Sequence, residues 1–330
     1  MGIPKSKLPA KLVPGSTVAL VAPAFGFDTK AFEEGRQALE HRFQVRTQAR
    51  ADVTSTQSYF AGSDARRLEE LFQFLVSTEV DAIAAIRGGY GCSRIAPDLL
   101  KKLRAHVKKT KKPLKPKIFL GYSDLTIFLN ALHQEFGWPT LHGPVLSGRA
   151  VRTPNDQEAQ SLKHALTNPK PLGSVRYEKM HTFHAGKAKA PIVGGCLSLI
   201  TAAIGTEYEV QTKGKILFLE DTDERPYRID RMLTQCLHAG LLDGVKGILF
   251  GELAACGPAT PERDPSQTTA HSAIAQALAP LLLRKKIPVV FDFPAGHGPM
   301  QTIVPIGTMV SIEAKAGAMP KITFLEAAVK

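Results

Sequence analysis

The chain opens with strand-like and helix-like hydrophobic patterns in alternation. An apolar, β-rich run at 17–24 is followed by a helical pattern at 29–41. Apolar residues at 63–76 recur at i, i+3, i+4, i+7 and i+8, which is one stripe of an α-helix. Continuous apolar runs at 81–89 and 117–124 are typical of buried parallel strands. This order predicts an α/β fold with a mostly parallel sheet and helices on both faces.

The second half of the chain has a different pattern. Residues 166–189 are polar and rich in turn-forming residues, and we interpret them as a linker between domains at 1–165 and 190–330. Strand and helix patterns then resume, at 215–221, 226–242, 244–251 and 271–283. A long proline-rich loop is predicted at 255–269.

Composition narrows the class of protein. The 330 residues are 44% hydrophobic and 22% charged, near ordinary globular values, and the length suggests two domains. No run approaches the roughly 18–20 apolar residues that cross a bilayer, so we expect no membrane association. The N-terminal residues are positively charged without an apolar h-region, so we expect a cytoplasmic protein. No two cysteines form a C-x-x-C pair, and we expect no metal and no cofactor.

Much of the net charge of +12 lies in one stretch. Residues 101–117 contain nine lysines and arginines and no acid. Such a stretch is typical of an anion or nucleic-acid patch, or of a solvated helix end and loop. Stacking aromatic residues, which single-strand binding requires, are missing from it. We therefore favour the solvated helix end and expect no nucleic-acid partner.

Ser123, in the sequence GYSD that ends the run at 117–124, comes directly after a predicted buried strand and precedes a helical pattern. A helix N-terminus offers unpaired N–H groups that can hold an oxyanion beside the hydroxyl, although a serine there also commonly serves as an N-cap. Cys92 is a rival nucleophile near another predicted helix start. We prefer Ser123, because Cys92 lies several residues past its strand, where a small buried residue is expected.

Gly88 and Gly89 end the strand-like run at 81–89. Without side chains, they let the backbone approach a ligand closely, so their N–H groups are candidates for the second half of an oxyanion hole. A tight turn without further function is the simpler interpretation. A phosphate cradle is disfavoured, because neither a G-x-G-x-x-G nor a P-loop pattern is present.

Candidates for a base and an acid also follow strand patterns. His297 lies between two glycines, where a general base has the access it needs; His142 is the second candidate. Glu220 follows the apolar run ILFL, at the sheet edge where α/β sites assemble. Its neighbouring rivals are Asp221, Asp223 and Glu224. Nucleophile, base and acid therefore occupy equivalent positions, which favours a single hydrolytic site.

Taken together, these motifs resemble the LD-carboxypeptidase family, which includes muramoyltetrapeptide carboxypeptidases and microcin-immunity peptidases. The resemblance runs along nearly the whole chain. The motifs that carry it are IRGGYGCSR, FLGYSD, VGGCLSLI, ILFLEDTDERPYRIDRML, VKGILFGE and the glycine-flanked His297. The family often has Asn at the position of Cys196, which puts in doubt a substrate contact by that side chain.

The resemblance implies a Rossmann-like N-terminal domain and a smaller β-rich C-terminal domain, with the site in the cleft between them. It implies Ser123 as nucleophile, His297 as base and Glu220 as acid. The oxyanion hole would consist of the backbone N–H groups of Gly89 and Asp124. Family members are commonly homodimers and need no metal, so we expect a homodimer.

The reaction implied by the resemblance is the release of terminal D-alanine from murein tetrapeptides in peptidoglycan recycling. Arg94 or Arg228 is expected to bind the free carboxylate of this substrate. Two alternatives remain: a microcin-immunity-type peptidase that cleaves a peptide–nucleotide conjugate, and a non-enzymatic Rossmann-type nucleotide-binding module. An ordinary α/β-hydrolase is disfavoured, because the chain contains no G-x-S-x-G.

Overall fold

A computed structural model describes residues 7–260 and 266–330. The strands are β1 (Thr17–Val21), β2 (Arg46–Gln48), β3 (Ala82–Ala85), β4 (Ile118–Gly121), β5 (Thr140–His142), β6 (Gly173–Val175), β7 (His181–His184), β8 (Gly186–Cys196), β9 (Ile216–Thr222), β10 (Gly247–Ala254), β11 (Val289–Phe291), β12 (Val304–Ile306), β13 (Met309–Ala314) and β14 (Lys321–Phe324). The helices are α1 (Thr29–Phe43), α2 (Asp64–Val76), α3 (Cys92–Thr110), α4 (Thr126–Phe136), α5 (Arg149–Arg152), α6 (Asp156–Thr167), α7 (Leu197–Ala202), α8 (Pro226–His238) and α9 (Ala270–Leu282).

The chain forms two compact units. The first runs up to Pro171 and includes Thr302–Gly307 and Ala327–Lys330. The second runs from Leu172 to Gln301 and includes Thr308–Glu326. The second unit takes up most of the predicted linker, because residues 166–189 contain β6, β7 and the start of β8.

The first unit is built on a sheet with the strand order β12-β5-β4-β3-β1-β2. All neighbouring pairs from β5 to β2 are parallel, and β12 is antiparallel to β5. The apolar runs predicted as buried strands form β3 and β4, in which every residue is buried. The mostly parallel sheet of this unit confirms the predicted fold class.

The first unit's helices follow their hydrophobic stripes. In α2, Leu71 and Leu75 on the predicted apolar stripe have no exposed surface. The Ser63 hydroxyl caps this helix by accepting a hydrogen bond from the Arg66 N–H at 3.2 Å. Periodicity and a capping side chain therefore agree on where the helix begins.

The second unit is built on a sheet with the order β6-β14-β13-β8-β9-β10-β11-β7. The long strand β8 joins two parts of this sheet. Its first half pairs with β13 in the antiparallel sense, and its second half pairs with β9 in the parallel sense. Strands β9, β10 and β11 are parallel neighbours, so their carboxyl ends share one edge.

The basic stretch at 101–117 covers the second half of α3 and the loop after it. Lys102 and Arg104 pair with Glu69 and Glu135 at 2.6 and 2.7 Å. Lys117 is fully buried, and its ammonium donates to the Ser77 carbonyl oxygen at 2.6 Å. Part of this charge thus has a role within the fold.

Two sequence predictions fall partly on residues 1–6 and 261–265, which lie outside the described residues. They are the N-terminal segment without an apolar core and the proline-rich loop at 255–269. Within the parts of the chain that the structure covers, no helix combines the length and apolar character that a membrane crossing requires.

We expect Gly194→Ala to destabilise the protein by about 3 kcal/mol. Gly194 has φ +129°, and an added Cβ would overlap the backbone of Phe218 on the neighbouring strand β9. Gly214→Ala is the matched control, because Gly214 also has positive φ (+79°) but faces open space. It should cost only about 1 kcal/mol. Urea unfolding measures both values, and equal losses would contradict the close approach of β8 to β9.

Candidate active site

Glu220 is a completely buried carboxylate near the carboxyl end of β9. The parallel strands β8 and β10 flank it, and Cys196 is its register partner on β8. Binding groups in α/β sheets assemble at this edge. A carboxylate without exposed surface must be hydrogen-bonded to remain charged, so its partners decide what it can do.

The loop after β11 carries His297 back to this edge. Backbone hydrogen bonds hold the loop against β10: the Phe293 N–H donates to the Phe250 carbonyl oxygen at 3.0 Å, and the Glu252 N–H donates to that of Ala295 at 2.9 Å. Each bond joins a residue before His297 to the strand beside Glu220. The imidazole is therefore presented by a fixed turn.

Two glycines make this approach possible. Gly296 has φ +117°, and a Cβ added there would lie 2.7 Å from Oε2 of Glu220. A Cβ added at Gly251 would overlap the Ala295 carbonyl oxygen. Any other residue at either position would push the loop away from the carboxylate.

His297 and Glu220 form a hydrogen bond, with Nδ1 2.7 Å from Oε2. Because a carboxylate only accepts, Nδ1 carries the proton and Nε2 is the basic nitrogen of the neutral ring. The side chain of His297 is 15% exposed, while that of Glu220 is fully buried. This is the arrangement in which a carboxylate fixes the tautomer of a general base.

Glu220 also sets the pKa of His297. Burial lowers this pKa, but the hydrogen bond and charge of Glu220, with a contribution from Asp221, outweigh burial and raise it above 6.5. A raised pKa stabilises the imidazolium that forms when the ring accepts a proton. The pair adds folding stability that is fully present below pH 6.5 and is lost as the pH rises through the folded-state pKa.

Asp221, the nearest rival acid, is held differently. Its carboxylate accepts hydrogen bonds from the N–H groups of Ser198 and Thr222, both at 2.8 Å. The Cys196 thiol donates to it at 3.4 Å. Burial and the charge of Glu220 raise the pKa of Asp221 to about 6. Asp221 therefore organises the chain after β8, and Glu220 is the acid that contacts the imidazole.

Ser123 begins a 3₁₀ turn between β4 and α4 and is partly buried. Its φ of +62° is left-handed, which is strained for a residue with a side chain. A Cβ added at Gly88 would lie 2.8 Å from the Ser123 Cβ, so only glycine fits there. The turn after β3 therefore lies against the serine. Strained residues of this kind concentrate at functional sites.

The predicted oxyanion glycine lies in the same turn. Gly89 has φ +119°, and a Cβ added to it would overlap the Phe25 ring. Asp124, the other predicted donor, follows Ser123 and has no exposed surface. The structure thus brings Ser123 together with Gly88, beside Gly89 and Asp124. The sequence analysis did not identify Gly251 or the carboxylate of Asp124 as part of the site. For Gly251, its place at the end of the strand pattern at 244–251 was the available signal.

The two arginines expected to bind a substrate carboxylate already have acidic partners. Arg94 binds Asp64 through two nitrogens, at 2.6 Å for the closest pair, and stacks over Phe60. Arg228 pairs with Glu224 at 3.5 Å. Their role in substrate binding stays a prediction.

The rival catalytic residues are enclosed. Cys92 has no exposed surface, and burial together with Asp124 raises the pKa of its thiol well above the usual value. A buried, protonated thiol is a poor nucleophile. His142 is 1% exposed. In residues 7–260 and 266–330, no group of three or more His, Cys, Asp or Glu side chains is placed to hold a metal ion.

We expect Glu220→Gln to lower the pKa of His297 below 6.5. The substitution removes the charge that opposes burial and leaves the size of the side chain nearly unchanged. An NMR titration of the His297 ring measures the shift. Glu313→Gln, which neutralises an exposed carboxylate on β13, is the control and should leave this pKa unchanged. A His297 pKa that is equal in both variants and the wild type would contradict the assigned contact.

Comparisons with known proteins identify the family of this chain. Residues 18–143 match the LD-carboxypeptidase N-terminal domain, and residues 189–312 match the LD-carboxypeptidase C-terminal domain. A probable murein peptide carboxypeptidase of Bacillus subtilis is 33% identical over 92% of this chain and 91% of its own length. A murein tetrapeptide carboxypeptidase of Pseudomonas aeruginosa is 28% identical over 90% of this chain and 92% of its own length.

Solved structures share the fold. A muramoyltetrapeptide carboxypeptidase from Oxalobacter formigenes superposes with a TM-score of 0.77 at 24% identity, covering 94% of this chain and 99% of its own. The microcin C7 self-immunity protein MccF superposes with a TM-score of 0.81 at 20% identity, covering 98% and 100%. The domain matches and the Bacillus relative confirm the resemblance seen in the sequence motifs. The chain belongs to the LD-carboxypeptidase family and is a hydrolase of the serine peptidase class.

Proposed function

We propose that this protein is a murein tetrapeptide carboxypeptidase that releases terminal D-alanine, with Ser123 as nucleophile, His297 as base and Glu220 as acid. The observation that carries the proposal is the 2.7 Å bond between Nδ1 of His297 and Oε2 of Glu220. It supplies a general base of defined tautomer with a raised pKa. Ser123, which is strained and lies against Gly88, supplies the hydroxyl that such a base can deprotonate.

In this mechanism, Nε2 of His297 accepts the Ser123 proton as Oγ attacks the carbonyl carbon before the terminal residue. Glu220 stabilises the imidazolium that results. The N–H groups of Gly89 and Asp124 donate to the oxyanion, and the loss of one such donor typically costs about 3 kcal/mol. His297 then returns the proton to the amine of D-alanine, and water hydrolyses the acyl-enzyme.

The murein substrate is favoured over a peptide–nucleotide conjugate. Relatives named for murein peptides are 28–33% identical to this chain across about nine-tenths of its length. The MccF structures are 20–21% identical, so they support a shared fold without a shared substrate. The proposal includes binding of the substrate carboxylate by Arg94 or Arg228, assembly as a homodimer and a cytoplasmic recycling role.

We expect Ser123→Ala to reduce D-alanine release from murein tetrapeptide by at least about 10³-fold, because the variant lacks the attacking oxygen. Mass analysis of the products measures the loss of one alanine. Ser174→Ala, at an exposed position in β6, is the control and should retain wild-type activity. Full activity in Ser123→Ala would overturn the assigned nucleophile. Wild-type cleavage of a peptide–nucleotide conjugate but not of tetrapeptide would overturn the substrate.

A further inference from the structure

The side chain of Asp124 lies directly beside the proposed nucleophile but has no part in the mechanism above. It has no exposed surface. Its Oδ2 accepts a hydrogen bond from the Cys92 N–H at 2.7 Å, and its Oδ1 has no hydrogen-bond partner among the described residues. Buried polar atoms of native proteins are usually satisfied, so this carboxylate calls for an explanation.

The hydrogen bond from the Cys92 N–H to the Asp124 carboxylate links the turn after β3 to the turn after β4. Cys92 is the first residue of α3, directly after the turn at 88–91, and Gly91 at the N-cap has no side chain to satisfy the helix. The Asp124 carboxylate, which lies in the turn after β4, caps the helix instead. A carboxylate is favoured there by the unpaired N–H groups and by the helix dipole.

Both proposed oxyanion donors belong to the connected segments. Gly89 lies three residues before Cys92, and the other donor is the N–H of Asp124 itself. In the same two turns, Gly88 packs against the Ser123 side chain. A shift of either turn would change the distance between the two donors and the hydroxyl.

Holding an ionised carboxylate in this place is costly. Burial raises the pKa of Asp124 to about 6, although the hydrogen bonds from Cys92 and the charge of Arg67 lower it. The charged and titratable groups that face it are the Cys92 thiol of α3 and the Arg67 guanidinium of α2. Arg67 is itself fully buried and lies against Gly91. Costly, perturbed groups of this kind concentrate at functional sites.

We propose that the Asp124 carboxylate is a positioning residue: it fixes the turn at 88–91 against Ser123 and thereby sets the spacing of the two oxyanion donors. The inference rests on the proposed function, because it assigns these N–H groups to the oxyanion. It gives Asp124 two separate tasks, one for its backbone N–H and one for its side chain.

Asp124→Asn tests the positioning role. The amide has nearly the same size but lacks the charge that strengthens the bond to the Cys92 N–H. Because a misplacement of about 1 Å can cost 10²-fold in rate, we expect kcat to fall by about 10- to 100-fold while KM changes by less than about 2-fold. Wild-type kcat in the folded variant would overturn the proposal.

Asp81→Asn is the matched control. Asp81 also accepts a backbone hydrogen bond from another segment, from the Thr17 N–H at 2.9 Å, and it pairs with Lys115 at 2.9 Å. It lies just before β3, at the end of the strands remote from Ser123. This variant should keep wild-type kcat, even where its melting temperature falls. An equal loss of kcat in both variants would show a merely structural effect.

The dependence of kcat/KM on pH separates the positioning role of Asp124 from a merely structural one, because a structural role would leave this dependence unchanged. The ionised form of Asp124 is the positioning form, so activity should fall as the pH drops through about 6, in addition to the loss from protonation of His297. In Asp124→Asn, the acid limb of log kcat/KM against pH should therefore be shallower by about one unit of slope. An unchanged slope would count against the proposal.

Hydrogen exchange separates this inference from the proposed function. Without any substrate, the Cys92 amide, followed in peptides covering 88–95, should exchange faster in Asp124→Asn and at the wild-type rate in Asp81→Asn. Unchanged exchange in Asp124→Asn would overturn the connection between the turns. A wild-type protein that releases no D-alanine would overturn the proposed function, while faster exchange in the variant would still support the connection.

Discussion

The hydrogen bond between His297 and Glu220 is the interaction on which the rest of the account depends. Desolvation opposes both charges, so the pair persists only because Nδ1 and Oε2 meet at 2.7 Å. Gly251 and Gly296 are needed for this approach, because a Cβ at either position would displace the loop. Two residues without side chains thus permit the contact through which Glu220 fixes the tautomer and raises the pKa of His297.

The parallel sheets explain why the proposed catalytic residues lie where they do. Ser123 follows β4, and Glu220 lies near the end of β9, in each case at the carboxyl edge of parallel strands. At such an edge the backbone leaves its ladder and is free to adopt strained turns. The left-handed φ of Ser123 and the close packing of Gly88 against it use that freedom. The carboxylate of Asp124 then adds the constraint that the turn itself lacks.

The sequence predicts most of this architecture, because long periodic segments and strand-end motifs are local signals. The hydrophobic pattern alone leaves Glu220 with the rivals Asp221, Asp223 and Glu224, since successive strand residues face opposite sides and the pattern does not say which side His297 approaches. It also interprets 166–189 as a linker, because β6 and β7 are short, half-exposed strands without an apolar stripe. The pairing of Arg94 with Asp64, thirty residues apart, likewise depends on tertiary packing.

The proposed function requires the imidazole held by Glu220 to activate the Ser123 hydroxyl. The rate at which a fluorophosphonate modifies the protein, measured against pH with peptide mapping of the adduct, tests it most directly. The account predicts one adduct, on Ser123, with a rate constant that rises with pH through an inflection above 6.5, the raised pKa of His297. An adduct on another residue, or a rate on Ser123 independent of pH between about 5 and 9, would contradict it.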